Sequence, residues 1–156
     1  MGNVYFYKYR LCTLGITEES GAITRIFFAQ ETSLPGFELA ESPLIGKAGA
    51  QLDEYFSGKT KTFDLPLNPK GTDFQLSVWK ALGTIPYCQT CSYKHIAGQI
   101  NNPKACRAVG LANNKNPIVI VIPCHRVIGS NNTLTGYGGG LELKQQLLQL
   151  ENMFNR

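Results

Sequence analysis

The chain has 156 residues, enough for one ordinary domain or two small ones sharing an interface. Its 43% hydrophobic and 17% charged content excludes a disordered chain, and no apolar run approaches the ~20 residues of a membrane span. Met1 leads straight into a strand-like pattern without a signal peptide, so a reducing, cytoplasmic setting is expected.

Charge is unevenly placed. Residues 1–70 carry seven Lys/Arg against eight Asp/Glu and residues 71–156 eight against three, so the halves stand at −1 and +5. A basic second half points to an acidic partner, with nucleic acid the first candidate. Five cysteines make an odd count in a chain with no secretory mark, and structural disulfides are not expected. Cys88-Gln89-Thr90-Cys91 is a CxxC that His95 or Cys106 could complete as a zinc site. A single CxxC without a second ligand pair is a weak signal, read here as coincidence in a turn. No metal and no cofactor is expected.

In chain order, Val4 to Leu14 alternates as one strand with Tyr5, Tyr7 and Tyr9 on one face. Glu18 to Gly21 reads as a turn and Ala22 to Phe28 as a returning antiparallel strand. Residues 30–42 have no period and read as loop. Leu44, Ile45, Ala48, Leu52, Tyr55 and Phe56 form a helical stripe that Gly58 is placed to end. Phe63 to Gly71, with Pro66 and Pro69, is a linker between the two halves.

Thr72 or Asp73 caps the next helix, whose stripe of Phe74, Val78, Trp79 and Leu82 makes the lone Trp a core residue rather than a stacking platform. Ser92 caps a short helix through Ile100, Asn101-Asn102-Pro103 breaks it, and a second helix runs from Pro103 at its first position through Lys104 to Ala112. Two short helices around a tight turn resemble a helix-turn-helix. Ala105, Cys106, Ala108, Gly110 and Ala112 would let the second helix approach another body closely. Gly136 to Gly140 matches no phosphate-binding loop and reads as a pocket wall.

Ile118-Val119-Ile120-Val121-Ile122 reads as a buried strand of five β-branched residues, ended by Pro123. Cys124, His125 and Arg126 follow at once. A buried, inert thiol is the ordinary reading of a cysteine. An imidazole and a guanidinium beside it favour an activated one. Leu143, Leu147, Leu150 and Phe154 stripe the last helix and put Glu151 on or beside its buried face, where a carboxylate needs a partner. In an extended segment Cys124 and His125 point to opposite faces, so a water is expected between them: Glu151 orients His125, His125 polarises the water, and the water takes the thiol proton.

Pro123-Cys124-His125-Arg126-Val127 resembles the active-site motif of the O6-alkylguanine-DNA alkyltransferases. The likeness continues through Tyr55-Phe56-Ser57-Gly58, Gly71-Thr72-Asp73-Phe74-Gln75, Val78-Trp79, Ile85-Pro86-Tyr87, Ser92-Tyr93, Arg107-Ala108-Val109-Gly110, Asn116-Pro117, Gly136-Tyr137-Gly138-Gly139-Gly140-Leu141 and Lys144. It implies an α+β protein: an N-terminal α/β ribonuclease-H-like scaffold over 1–70, and a mainly α, winged-helix-like DNA-binding and catalytic domain with a helix-turn-helix over 71–156. It implies DNA repair by irreversible, single-turnover transfer of the alkyl group of O6-alkylguanine to Cys124 after base flipping, and leaves O4-alkylthymine open as a second substrate. The partner would be double-stranded DNA bound through the minor groove by a monomer, with no membrane involved.

By the same resemblance, Cys124 is the acceptor, His125 and Glu151 its relay, and Asn116 the brace of its loop. Arg107 is the finger that fills the gap left by the flipped base, and Tyr93 presses on the phosphate beside it. Lys104, Ala105 and Cys106 meet the groove, while Val127, Tyr137, Gly138, Gly139 and Lys144 line the base pocket, with backbone of Cys124 and Val127 reading the exocyclic amine. The chain departs from the family pattern at Cys88, where Gly is usual, at Cys106, where an alanine-like residue is usual, and at Val119, where some relatives have Pro. Two readings compete: a non-catalytic lesion-sensing DNA-binding protein, and a Cys-His hydrolase with multiple turnovers.

Overall fold

The computed structural model describes residues 2–129, 137 and 139–155. The chain divides into two units, Met1–Lys70 and Gly71–Arg156. The first is built on a four-stranded sheet of β1 (Gly2–Lys8), β2 (Thr13–Glu19), β3 (Ala22–Phe28) and β4 (Phe37–Leu39), in the order β3-β2-β1-β4. β1 and β3 run antiparallel to β2, and β4 runs parallel to β1.

Two expectations fail here. The Val4–Leu14 stretch is two strands, because Tyr9 N–H donates to the Cys12 carbonyl at 2.8 Å and reverses the chain without Gly or Pro. The expected loop over 30–42 contains β4, a strand too short to show a period. The expected linker also contributes to the sheet edge: Ile23 N–H donates to Pro66 O and Asn68 N–H to Ile23 O, each at 2.8 Å.

Helix α1 (Pro43–Phe56) starts where Ser42 Oγ accepts from Ile45 N–H, with Pro43 in the first turn. Its buried stripe of Ile45, Ala48, Leu52 and Tyr55 contributes about 1.5–3 kcal/mol per large side chain to holding the unit. Gly49 is required by close approach, since a Cβ there would meet the Tyr7 ring at 2.6 Å.

In the second unit, α2 (Asp73–Leu82) opens with a full capping box between Thr72 and Gln75. Trp79 is buried, as its stripe requires, and its Nε1–H donates to the Ala112 carbonyl at 2.8 Å, tying α2 to the helix that carries Ala112. Helix α3 (Tyr93–Gln99) is capped by Ser92 Oγ, which accepts from His95 N–H at 3.0 Å. It ends in a Schellman motif: Asn101 sits at φ 60°, Asn102 N–H donates to Ala97 O at 2.9 Å and Asn101 N–H to Gly98 O at 3.0 Å. Helix α4 is Cys106–Asn114, shorter at its start than expected. Pro103 and Lys104 lie in a turn closed by Ala105 N–H to Asn102 O, and Ala105 is the N-cap.

The largest correction concerns 118–122. The segment is mostly buried but is a turn, not a strand: Val119 bridges to Ile122 within it, and Ile120 lies at φ 71°. Asn116 forces the geometry. Its Nδ2 donates to Ile122 O at 2.7 Å and its Oδ1 accepts from Ile118 N–H at 3.0 Å, while Ile122 N–H closes on Ile118 O. A β-branched residue in the left-handed region costs on the order of 1–3 kcal/mol and persists only where its surroundings impose it. Cys124–Arg126 then forms a single 3-10 turn, β6 (Val127–Ile128) pairs in parallel with β5 (Cys91–Ser92), and α5 (Leu141–Phe154) completes the unit.

Candidate functional site

Pro123 leaves the Asn116-clamped turn and delivers Cys124, His125 and Arg126 on one helical turn, all three buried. The extended backbone from which Cys124 and His125 were expected to diverge is therefore absent. His125 Nε2 instead meets Glu151 Oε2 of α5 at 2.6 Å, with both side chains fully buried. Its Nδ1 is buried with no hydrogen-bond partner among the described residues, so it makes no direct bond to the thiol.

Glu151 accepts more than the imidazole. Arg126 Nε donates to Oε1 and Arg126 Nη2 to Oε2, both at 2.9 Å, and Cys88 N–H donates to Oε1 at 3.1 Å. The guanidinium is itself fixed by Nη1–H to the Ile85 carbonyl at 2.8 Å and lies 5.6 Å from the centre of the Tyr87 ring. Burial pushes the Glu151 carboxyl up, but the hydrogen bonds and charges of His125 and Arg126 outweigh it and hold the group at about 2. An ionised Glu151 requires the proton on His125 Nε2, which leaves Nδ1 as an acceptor.

Around Cys124 the balance differs. Burial pushes the thiol up, against hydrogen bonds from the Asn116 and Tyr137 side chains and the charge of Lys144. Burial also lowers His125, opposed by Glu151 and reinforced by Arg126 and Lys144. Lys144, fully buried on α5 with its Nζ 6.0 Å from the centre of the Tyr137 ring, is pushed down to about 8 by burial, with the Cys124 charge acting against that. At neutral pH the site therefore holds a thiol, a neutral imidazole and a carboxylate. A base is in place, and the thiol needs one.

Cys124, His125, Glu151, Asn116, Tyr137 and Lys144 thus come together, with the buried Val127 directly after the turn. Gly139 lies in the turn before α5, and Gly138 falls outside the described residues. The Cys124 carbonyl, expected to read a base amine, already accepts from Val127 N–H and, at 3.4 Å, from Asn113 Nδ2. The helix pair carries the second group. Arg107 and Lys104 are exposed, Ala105, Cys106 and Tyr93 half-buried, and the Tyr93 ring lies over Gly110, where a Cβ would approach it at 3.9 Å.

Three contributors escaped the sequence reading: the Arg126 fork, Asn113, and the backbone of Cys88. A carboxylate offers about four acceptor sites, which one imidazole cannot fill, so the cation next to His125 was the available signal. Asn113 continues the buried stripe of Val109 and Ala112. Cys88 stands at φ 63°, a conformation glycine adopts freely, so the departure from the family's Gly keeps the backbone shape that aims its N–H at Glu151. Cys88 and Cys91 are free thiols, and among the described residues no three His, Cys, Asp or Glu side chains gather as a metal would need.

Comparison with known proteins agrees with this geometry. Residues 73–153 match the model of the 6-O-methylguanine DNA methyltransferase DNA binding domain, and residues 5–69 that of its ribonuclease-like domain. A methylated-DNA–protein-cysteine methyltransferase of Methanosarcina barkeri is 58% identical over 118 residues, 76% of this chain and 75% of the relative. The crystal structure of Mycobacterium tuberculosis O6-methylguanine methyltransferase superposes with a TM-score of 0.91 at 42% identity, covering 100% of this chain and 96% of that one. The structure of Mycobacterium tuberculosis OGT in complex with DNA gives 0.90 at 44% identity, covering 97% and 94%. By the match of its second unit, by this identity and by this fold, the chain belongs to the methylated-DNA–protein-cysteine methyltransferase family.

Proposed function

We propose that this protein takes the alkyl group of O6-alkylguanine in duplex DNA onto Cys124, once per molecule, after flipping the base out of the stack. Family membership makes it a DNA-repair methyltransferase that transfers to a cysteine; the site supports which cysteine and by what route. The observation that carries the reading is the buried line from Arg126 through Glu151 to His125, ending at an imidazole nitrogen on the same turn as a raised thiol.

The proton leaves Cys124 Sγ through a water to His125 Nδ1, and Glu151 stabilises the imidazolium that forms. The thiolate attacks the alkyl carbon in line. The carbon–O6 bond breaks, its electron pair stays on guanine, and the proton held on His125 returns through water to the guanine, which remains in its strand as the neutral base. Lys144 and the Tyr137 hydroxyl favour the thiolate and line the pocket for the departing base. The product is a thioether, which nothing in the site can reverse.

An alkylated guanine pairs poorly, so extruding it costs less than the few kcal/mol of a normal base. Exposed Arg107 enters the stack in its place, Tyr93 presses on the neighbouring phosphate, and Lys104, Ala105, Cys106 and Gly110 follow the minor groove, where small side chains permit close approach. O4-alkylthymine presents the same kind of carbon to the thiolate. The protein works as a monomer, and a reducing compartment such as the cytoplasm keeps its thiol available. Among the described residues no helix is long and apolar enough to cross a membrane.

Intact-mass spectrometry after incubation with alkylated duplex tests single use. One alkyl group per protein, with no further gain on a second dose of substrate, is expected. Repeated turnover on a limiting amount of protein would refute it and favour a hydrolase, and an unmodified mass with tight binding would favour a lesion sensor.

A further inference from the structure

We propose that Arg126 is a positioning residue that holds the His125–Glu151 pair as neutral imidazole and carboxylate, so that His125 Nδ1 faces the thiol as an unprotonated base. The inference rests on the reading of Cys124 as acceptor and His125 as its base. A buried His and Glu at 2.6 Å would otherwise gain by placing a full positive charge on the imidazole opposite the carboxylate. An imidazolium cannot accept the thiol proton. The guanidinium takes over as the counter-charge: it bonds to both carboxylate oxygens and stands close enough to His125 to oppose a second cation there.

The surroundings act in the same direction. Lys144 from α5 adds a further positive field at His125, Cys124 on the same turn is held as thiol, and Tyr87, with its ring near the guanidinium, is pushed up by burial and by Glu151. Glu151 is the only anion among the described groups that act on His125, and Arg126 forks it. The guanidinium's third bond, to the Ile85 carbonyl, fixes the fork's orientation. Lysine could supply the charge but not the two parallel bonds.

The test is heteronuclear NMR of imidazole nitrogens in the protein without DNA, read beside the pH profile of single-turnover transfer. Only two histidines are present, and His95→Gln removes the other signal. Wild-type His125 is expected to stay neutral, protonated at Nε2, through the neutral range. Arg126→Met should move its protonation, and the acid limb of transfer, up by about one pH unit or more, an approximately tenfold slower transfer on the acid side; Arg126→Lys should fall between. An imidazolium in the wild type at neutral pH overturns the proposal, as does a folded Arg126→Met protein with an unmoved His125. Should Arg126→Met fail to fold, Arg126→Lys decides alone, and a titration identical to wild type refutes the fork. The NMR result stands without any alkyl transfer, so a failure of the Cys124 reading would be seen separately, as an unmodified wild-type mass.

Discussion

The turn bearing Cys124 and the α3–α4 pair belong to one unit but handle charge in opposite ways. At the turn the ionisable groups are buried, and burial and the neighbouring groups of the chain set their state: bonds and charges from His125 and Arg126 hold Glu151 at about 2, while burial brings Lys144 to about 8 and lowers His125. On the helix pair Arg107, Lys104 and Lys94 stand in water. The difference teaches where preorganisation is needed. A displacement at carbon requires a base and a counter-charge in place beforehand, whereas a surface that meets polyphosphate gains its bonds on contact.

Changes at the turn should therefore abolish chemistry while sparing binding. Cys124→Ser should lose transfer completely and still retain alkylated duplex in a mobility-shift assay; residual transfer would place the acceptor elsewhere. Glu151→Gln should slow single-turnover transfer on the order of 10²–10⁴-fold, as removal of a relay acid does, and lower stability by about 3–5 kcal/mol through the unpaired Arg126. Wild-type rates in a folded Glu151→Gln protein would break the relay.

Changes on the helix pair should do the reverse. Arg107→Ala should weaken repair in duplex DNA while sparing reaction with free alkylguanine base, and equal losses on both would remove the finger. Affinity for undamaged duplex should fall steeply with added salt as phosphate contacts release counterions, which a titration between low and physiological salt reads directly.

The smallest effect separates the regions by pH. Lys144 is held at about 8 against an ordinary 10.5, so between those values the unfolded chain binds more protons and this residue's contribution to stability rises with pH. The stability difference between wild type and Lys144→Met, measured by denaturant unfolding, should change across that window and be flat just below it. Glu151 acts at the other end: its carboxylate stabilises the fold above about 4.5, and that contribution is lost as pH falls towards 2.

The first helix was legible from its apolar stripe, and the next two because their caps are local: Thr72 and Ser92 each accept from a backbone N–H three residues on. Cys124, His125 and Glu151 were legible as a thiol, a base and a buried acid needing one another. The backbone carrying them was not. Period and β-branching cannot tell a buried turn from a buried strand, and at 118–122 two side-chain bonds from Asn116 settle the matter against β-propensity. The start of α4 slipped for a related reason: Pro103 suits a first helical position, but a hydrogen bond from Ala105 to Asn102 uses it in a turn. Arg126 was visible in the sequence and its partner was not, because a contact between residues 126 and 151 exists only once α5 has packed.

Peptide mapping after reaction with alkylated duplex tests the central claim most directly. All of the transferred alkyl is predicted on the peptide containing Cys124, with Cys12, Cys88, Cys91 and Cys106 unmodified; alkyl on any of those four, with Cys124 left free, would contradict it.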